Sequence, residues 1–132
     1  MIKLHDLYFK PFISEQEIDT AVQRLVDEIV SDIGDEIPMF IGILNGSFML
    51  VSDFVKKYPK PCEVTFIKLA SYEGVKSTED IQRLIGLTQD ITDRTVVILE
   101  DIIDSGNTLG EVHRIFKNEN VKSLKIATLF YK

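Results

Sequence analysis

The sequence predicts an α/β fold with a doubly wound parallel sheet, that is, a sheet covered by helices on both faces. Two short apolar runs, MFIGIL at residues 39–44 and TVVILE at 95–100, are typical of strands buried on both sides. Segments with helical spacing of apolar residues alternate with such runs, which indicates crossover connections between parallel strands. A length of 132 residues allows one hydrophobic core.

The pattern of residues in the first half of the chain predicts a helix, then a strand, then a second helix. Ser14 and Glu17 form a capping-box pattern, and apolar residues then recur at helical spacing until Gly34, which predicts a long amphipathic helix. The strand at 39–44 comes next, and the residues NGS behind it indicate a turn. A second helix follows and ends at KKYPKP, residues 56–61.

The second half predicts a hairpin and two further principal strands. EVTFIKLASY at 63–72 and QRLIGL at 82–87 have strand character, and the polar stretch EGVKSTED between them predicts a long mobile loop. The strand at 95–100 is followed by an amphipathic helix. SLKIATLFY at 123–131 is the last predicted strand.

Composition excludes several classes of function. Fifteen Lys and Arg against 21 Asp and Glu give a net charge of −6, which repels nucleic-acid backbones, so we expect no nucleic-acid partner. The single Cys62 indicates a reducing compartment and a small packed residue, and His5 and His113 are expected to be solvated or packed rather than ligands. Neither a signal peptide nor a run of membrane-spanning length is present, so we expect a cytoplasmic protein without a membrane partner.

The stretch VVILEDIIDSGNTLGEV, residues 96–112, is the candidate site. Ligands bind beyond the carboxyl ends of parallel strands, and Glu100 and Asp101 fall at that edge, where two close carboxylates favour a metal, a cation or hydroxyl donors. Residues 105–108 offer consecutive N–H groups at a helix N-terminus, suited to a phosphate dianion. The plain alternative is that Glu100 and Asp101 lie in a solvated turn and that Asp104 or Ser105 only caps the helix. The stretch lacks the Gly-Lys-Ser/Thr ending of a P-loop.

LEDIIDSGNTL resembles the phosphoribosyl-pyrophosphate signature of type I phosphoribosyltransferases, in the form found in hypoxanthine-guanine phosphoribosyltransferases. ILNGSFM is similar to the family's pyrophosphate loop, FIKLASY to the strand before its flexible catalytic loop, and KIATLFYK to the strand before its purine pocket. The resemblance implies a type I phosphoribosyltransferase sheet with a hairpin that carries a flexible loop. It also implies a purine salvage transferase that moves 5-phosphoribosyl from phosphoribosyl pyrophosphate to N9 of hypoxanthine or guanine, releases pyrophosphate and gives IMP or GMP.

The resemblance assigns roles to matching residues around the ribose and its 5′-phosphate. Glu100 and Asp101 would meet the ribose hydroxyls directly or through Mg²⁺, bound through ribose or water. Asp104 would be the catalytic residue, a general base or proton partner at N7 of the purine. The residues implied to hold the 5′-phosphate are Ser105, Gly106, Asn107 and Thr108.

Further matches concern pyrophosphate, the flexible loop and the purine. Ser71 and Tyr72 match the root of the flexible loop, for which a plain strand end with an exposed Tyr is the alternative. Lys132 matches a Lys that contacts the exocyclic oxygen of the purine. The residues of the implied pyrophosphate loop, which in the family often carries a cis peptide not before proline, are Leu44, Asn45, Gly46 and Ser47. Asn45 replaces the commoner Lys, and the alternative for NGS is a strand-to-helix turn with a Ser cap.

Family members continue beyond the position of Lys132, so we expect residues 1–132 to be a single phosphoribosyltransferase domain truncated at the C-terminus. The family also implies a homodimer or homotetramer. The competing hypotheses are a non-catalytic regulatory module that binds phosphoribosyl pyrophosphate, a transferase for another base, and a generic flavodoxin-like phosphate binder. The purine preference is not set by the residues present.

Overall fold

The computed structural model describes residues 2–68, 90–103, 106–116 and 119–131. The elements, in chain order, are β1 (Ile2–Leu4), β2 (Leu7–Phe9), α1 (Glu15–Ile33), β3 (Met39–Leu44), α2 (Phe48–Lys57), β4 (Glu63–Lys68), β5 (Thr95–Ile103), α3 (Gly106–Phe116) and β6 (Ser123–Tyr131).

The main sheet has the strand order β4-β3-β5-β6, and all of its pairs are parallel. Phe40 in β3 lies between Val64 of β4 and Val97 of β5, which fixes the register of the central strands. β5 runs three residues beyond the predicted 95–100 and pairs with β6 to its end. The predicted strand at 63–72 is described as far as Lys68, and the predicted strand at 82–87 with its loop lies outside the described residues.

Helices cover both faces of the sheet, which confirms the predicted doubly wound architecture. On one face α1 and α2 pack on alternate strand residues, where the Phe40 ring lies edge-on to Phe54 at a centroid distance of 5.0 Å. On the other face α3 packs through Val112 against Ile41 and Ile98. Each such buried apolar side chain contributes roughly 1.5 to 3 kcal/mol, so the two clusters together hold the sheet and helices in place.

Gly42 determines how closely α2 approaches the sheet. A Cβ at this position would lie 2.7 Å from Cγ2 of Val51 and 2.8 Å from Cε1 of Phe66, distances that no side chain tolerates. The missing side chain therefore lets α2 lie directly on β3. This contact sets the position of the loop between the two elements at the carboxyl edge of the sheet.

The predicted capping box of α1 is confirmed. The N–H of Glu17 donates to Oγ of Ser14 at 3.0 Å, and the N–H of Ser14 donates to Oε1 of Glu17 at 3.1 Å. The helix ends at Gly34, whose φ of 66° lies in the left-handed region that favours glycine. Because one end is capped by side chains and the other by glycine, both helix boundaries were readable in the sequence.

The hairpin of β1 and β2 was not predicted. Its side chains are largely solvent-exposed, with Leu4 58% and Tyr8 66% accessible. His5 and His113 are exposed, and Cys62 is partly buried against the α1 and α2 side of the core, as expected for a packed thiol. Among the described helices, none is both long and apolar enough to span a bilayer.

Candidate active site

The carboxyl ends of β3 and β5 bring two predicted site segments together. These strands are parallel neighbours, so the loop after β3 and the acids near the end of β5 reach the same edge. A Cβ on Gly46 would lie 3.2 Å from Oδ2 and 3.3 Å from Oδ1 of Asp101. The Gly46 backbone therefore lies close beside the Asp101 carboxylate, which would have to shift by a few tenths of an ångström to admit a side chain at this position.

The two acids belong to β5 rather than to a solvated turn. Glu100 is only 8% exposed, and its Oε1 accepts the N–H of Asp101 at 3.2 Å. Oδ1 of Asp101 accepts the N–H of Ile102 at 2.9 Å. The alternative that both carboxylates are freely solvated is therefore wrong for Glu100, because the extended strand carries it into the protein.

Burial controls the protonation of Glu100. Desolvation, followed by a hydrogen bond with the Asp101 side chain and repulsion from its charge, raises the pKa of Glu100 to about 8, and the N–H of Asp101 opposes the shift. Glu100 is therefore mostly protonated near neutral pH in the ligand-free protein. A cation or a set of hydroxyl donors at this edge would favour its ionised form.

The donor set fits a metal ion that arrives with a ligand. Within the described parts of the chain, no three His, Cys, Asp or Glu side chains cluster in a way that could hold a metal. Glu100 and Asp101 supply two carboxylates, and magnesium is commonly bound by one or two carboxylates together with phosphate oxygens and water. The pair therefore suits magnesium bound jointly with a phosphorylated ligand.

The loop after β3 has two features that define its shape. The Leu44–Asn45 peptide bond is cis, as the family resemblance implies for this loop. Ser47 is fully buried, and its Oγ donates to the carbonyl oxygen of Ile43 at 2.6 Å. Ser47 stands at the N-cap position of α2 but makes no side-chain capping bond, so the alternative of a Ser-capped turn is wrong.

A groove of about 790 Å³ opens beside this loop, between α1, α2 and the sheet edge. Its rim carries four carboxylates, its floor is apolar, and no Lys or Arg of the described segments lines it. Its lining residues from the two helices are Glu15, Gln16, Ile18, Asp19, Val22, Met49, Leu50 and Asp53, joined by Gly46, Asp101 and Leu129. The acids of the two helices were not predicted as part of the site, because their convergence depends on the approach of α2 that Gly42 permits.

α3 begins at Gly106, directly beyond the end of β5, so its N-terminus lies at the same edge of the sheet. The backbone of residues 106–108 is helical, and their side chains are not described. The remaining predicted site residues lie outside the described residues, and they are Asp104, Ser105, Ser71, Tyr72 and Lys132. Their roles stay predictions.

Comparison with known proteins gives consistent matches. A family model described as a phosphoribosyl transferase domain matches residues 14–132. The hypoxanthine phosphoribosyltransferase of Salmonella typhimurium is 40% identical over 124 residues, which cover 91% of this chain and 69% of that protein. The hypoxanthine-guanine phosphoribosyltransferase of Bacillus subtilis is 35% identical over 129 residues, covering 97% and 71%.

A solved structure agrees with this likeness. The crystal structure of a hypoxanthine-guanine phosphoribosyltransferase from Bacillus anthracis, with a HEPES molecule in its active site, superimposes with a TM-score of 0.84 at 31% identity. The match covers 94% of this chain and 72% of that chain.

Proposed function

Because the chain belongs to the phosphoribosyltransferase family, we propose that it transfers the 5-phosphoribosyl group of phosphoribosyl pyrophosphate to N9 of a 6-oxopurine, hypoxanthine or guanine. It is an enzyme of purine salvage, as its named relatives are, and the products are IMP or GMP and pyrophosphate. The observation that carries the proposal is the close approach of the Gly46 backbone to the Asp101 carboxylate, which brings the loop matched to pyrophosphate beside the acids matched to ribose. The regulatory-module alternative has no observation in its favour.

The reaction requires little covalent chemistry from the protein. The bond between the anomeric carbon and a pyrophosphate oxygen breaks, the bond from N9 to that carbon forms, and the purine loses a proton. Positive charge develops on the sugar as negative charge leaves with pyrophosphate. The residues therefore act by alignment and by electrostatic stabilisation of separating charges.

Glu100 and Asp101 are proposed to hold the ribose hydroxyls. Their carboxyl groups follow a buried strand at the correct edge, and Glu100 can exchange a proton for an interaction with the incoming ligand because burial raises its pKa to about 8. Asp101 is held in place by the N–H of Ile102. Magnesium, bound together with the phosphorylated substrate, would supply charge neutralisation at this edge.

The loop of residues 44–47 is proposed to receive pyrophosphate mainly through its backbone. Asn45 has no positive charge, whereas the commoner family residue is Lys, so main-chain donors and magnesium must neutralise more of the charge. The N–H of Phe48, the first residue of α2, donates to the carbonyl oxygen of Asn45 at 3.4 Å, whereas the next two amides, those of Met49 and Leu50, have no carbonyl partner within the helix. These donors support an anion-binding role for the loop.

The remaining roles rest on the family motif. Asp104 is proposed as the proton partner at N7, Lys132 as a purine contact, and Ser71 with Tyr72 as the root of the flexible loop. The 5′-phosphate is proposed to bind at the N-terminus of α3, through residues 105–108, in accord with the position of that helix at the sheet edge. A homodimer or homotetramer and a cytoplasmic location complete the proposal.

The test is nucleotide formation by this chain with phosphoribosyl pyrophosphate, magnesium and hypoxanthine or guanine. Asp104→Asn should lose about 1 to 3 kcal/mol of transition-state stabilisation, because one positioned acid-base group is removed. Asp32→Asn, at an exposed position of α1, is the matched control and should keep full activity. Tight binding of phosphoribosyl pyrophosphate without transfer to either purine would favour the regulatory module instead.

A further inference from the structure

Ser47 uses both of its hydrogen-bond donors on one carbonyl oxygen. Its Oγ donates to the oxygen of Ile43 at 2.6 Å, and its backbone N–H donates to the same oxygen at 3.2 Å. The residue is 0% exposed. Its hydroxyl is therefore committed within the protein and is not presented to a ligand in the groove.

This arrangement departs from the usual behaviour of serine before a helix. At an N-cap position a serine hydroxyl normally accepts an N–H from the first turn, as Ser14 does for α1. Ser47 has helical dihedral angles, φ −87° and ψ −5°, and its side chain caps nothing. The first turn of α2 thus keeps amides that a conventional cap would occupy, and Met49 and Leu50 of that turn line the groove.

The bonds from Ser47 to Ile43 close a loop around residues 44–46. Ile43 belongs to β3 and is 6% exposed, so the accepting carbonyl is part of a rigid strand. Gly46 lies inside the closed loop, and its backbone approaches the carboxylate of Asp101 so closely that a Cβ would lie 3.2 Å from Oδ2. Fixing Ser47 to the strand therefore also fixes the separation of the loop from the ribose-side acid.

We propose that Ser47 is a positioning residue: its buried hydroxyl ties the 44–47 loop to β3, so that the uncapped first turn of α2 and Gly46 present a preformed backbone site for the pyrophosphate group. The role in turnover rests on the proposed transferase function. The role in holding the loop does not depend on it.

The experiment compares Ser47→Ala and Ser47→Cys with the wild-type chain. Loss of the hydroxyl should raise KM for phosphoribosyl pyrophosphate about fivefold to tenfold, the effect of one lost hydrogen bond, and leave KM for the purine unchanged. Cysteine replaces the hydroxyl with a somewhat larger thiol that is a weaker donor, so its effect should be intermediate. Ser52→Ala, at an exposed position of the same helix, is the matched control and should behave as wild type.

Amide hydrogen exchange of the ligand-free protein supplies a readout that does not need activity. In Ser47→Ala the amides of residues 45–48 should exchange faster, while those of α1 and β6 keep their wild-type rates. If the amides of this loop exchange at the wild-type rate in Ser47→Ala, the proposal is overturned. An equal rise of KM for phosphoribosyl pyrophosphate and for the purine would overturn it as well. If the wild-type chain transfers nothing while the loop still loosens in the variant, the proposed function fails and the positioning role stands.

Discussion

Removing the Glu100 carboxylate should change how stability depends on pH. The pKa of Glu100 is raised from 4.5 to about 8 in the folded protein, so the folded state favours the protonated form. The stabilisation from this proton is complete below the unfolded pKa of 4.5 and is lost as pH rises through about 8. Glu100→Gln removes the titration and should flatten the profile in that window.

The magnitude follows from the shift after allowance for solvent. One pKa unit corresponds to about 1.4 kcal/mol, so an unscreened shift of this size would be worth several kcal/mol. Water reaches the neighbouring Asp101 at the edge of the sheet and screens its repulsion, which reduces the effect. We expect wild type to lose about 1 to 2 kcal/mol more than Glu100→Gln between about pH 5.5 and pH 9.

Urea unfolding without magnesium or ligand measures this difference. The free energy of unfolding is obtained for both proteins at each pH, and the difference between them cancels the titration of the other groups. Glu119→Gln, at an exposed site, is the matched control and should leave the wild-type profile unchanged. Parallel profiles for wild type and Glu100→Gln would refute the assignment of a buried, protonated carboxyl. Asp101→Asn should weaken the pH dependence in part, since its charge is a lesser cause of the shift.

Four further substitutions test packing, helix propensity and capping, each by urea unfolding. Gly42→Ala should destabilise by about 1 to 3 kcal/mol, because its Cβ would lie 2.7 Å from Val51, whereas Gly110→Ala in open space on α3 should stabilise by about 0.5 to 1 kcal/mol. Tyr58→Phe should leave the free energy of unfolding unchanged or raise it by up to about 1 kcal/mol, because the buried hydroxyl has no hydrogen-bond partner among the described residues. A clear loss of stability would mean that the hydroxyl has such a partner. Ser14→Ala should cost about 1 kcal/mol, and no loss would contradict the capping box.

Local patterns were enough to predict most helices and strands. The bounds of β3 and β6 match the predicted runs, and for β3 the reason is that a strand buried on both faces has a continuous apolar sequence. The extension of β5 to Ile103 was not predicted, because the acids at 100–101 have low strand propensity. Ile102 nevertheless pairs with Phe130 of β6, and this pairing with the neighbouring strand extends β5 in spite of the low strand propensity of the acids.

The hairpin of β1 and β2 was missed for a different reason. Each strand has only three residues, too few for an alternating pattern to be recognised in the sequence. The direction of the Ser47 hydroxyl was also beyond sequence reasoning. A serine behind a strand and before a helix predicts a cap, and only the position of the Ile43 carbonyl decides otherwise.

The candidate site depends on a series of close contacts that the motif alone does not reveal. The motif assigns separate roles to the loop after β3 and to the acids on β5. In the structure, Gly42 sets the approach of α2 to the sheet, Ser47 ties the loop to β3, and the Gly46 backbone lies close to Asp101. Burial, and to a lesser degree Asp101, raises the pKa of Glu100. Because the loop and the acids lie side by side at one edge of the sheet, substitutions in the two are expected to be non-additive.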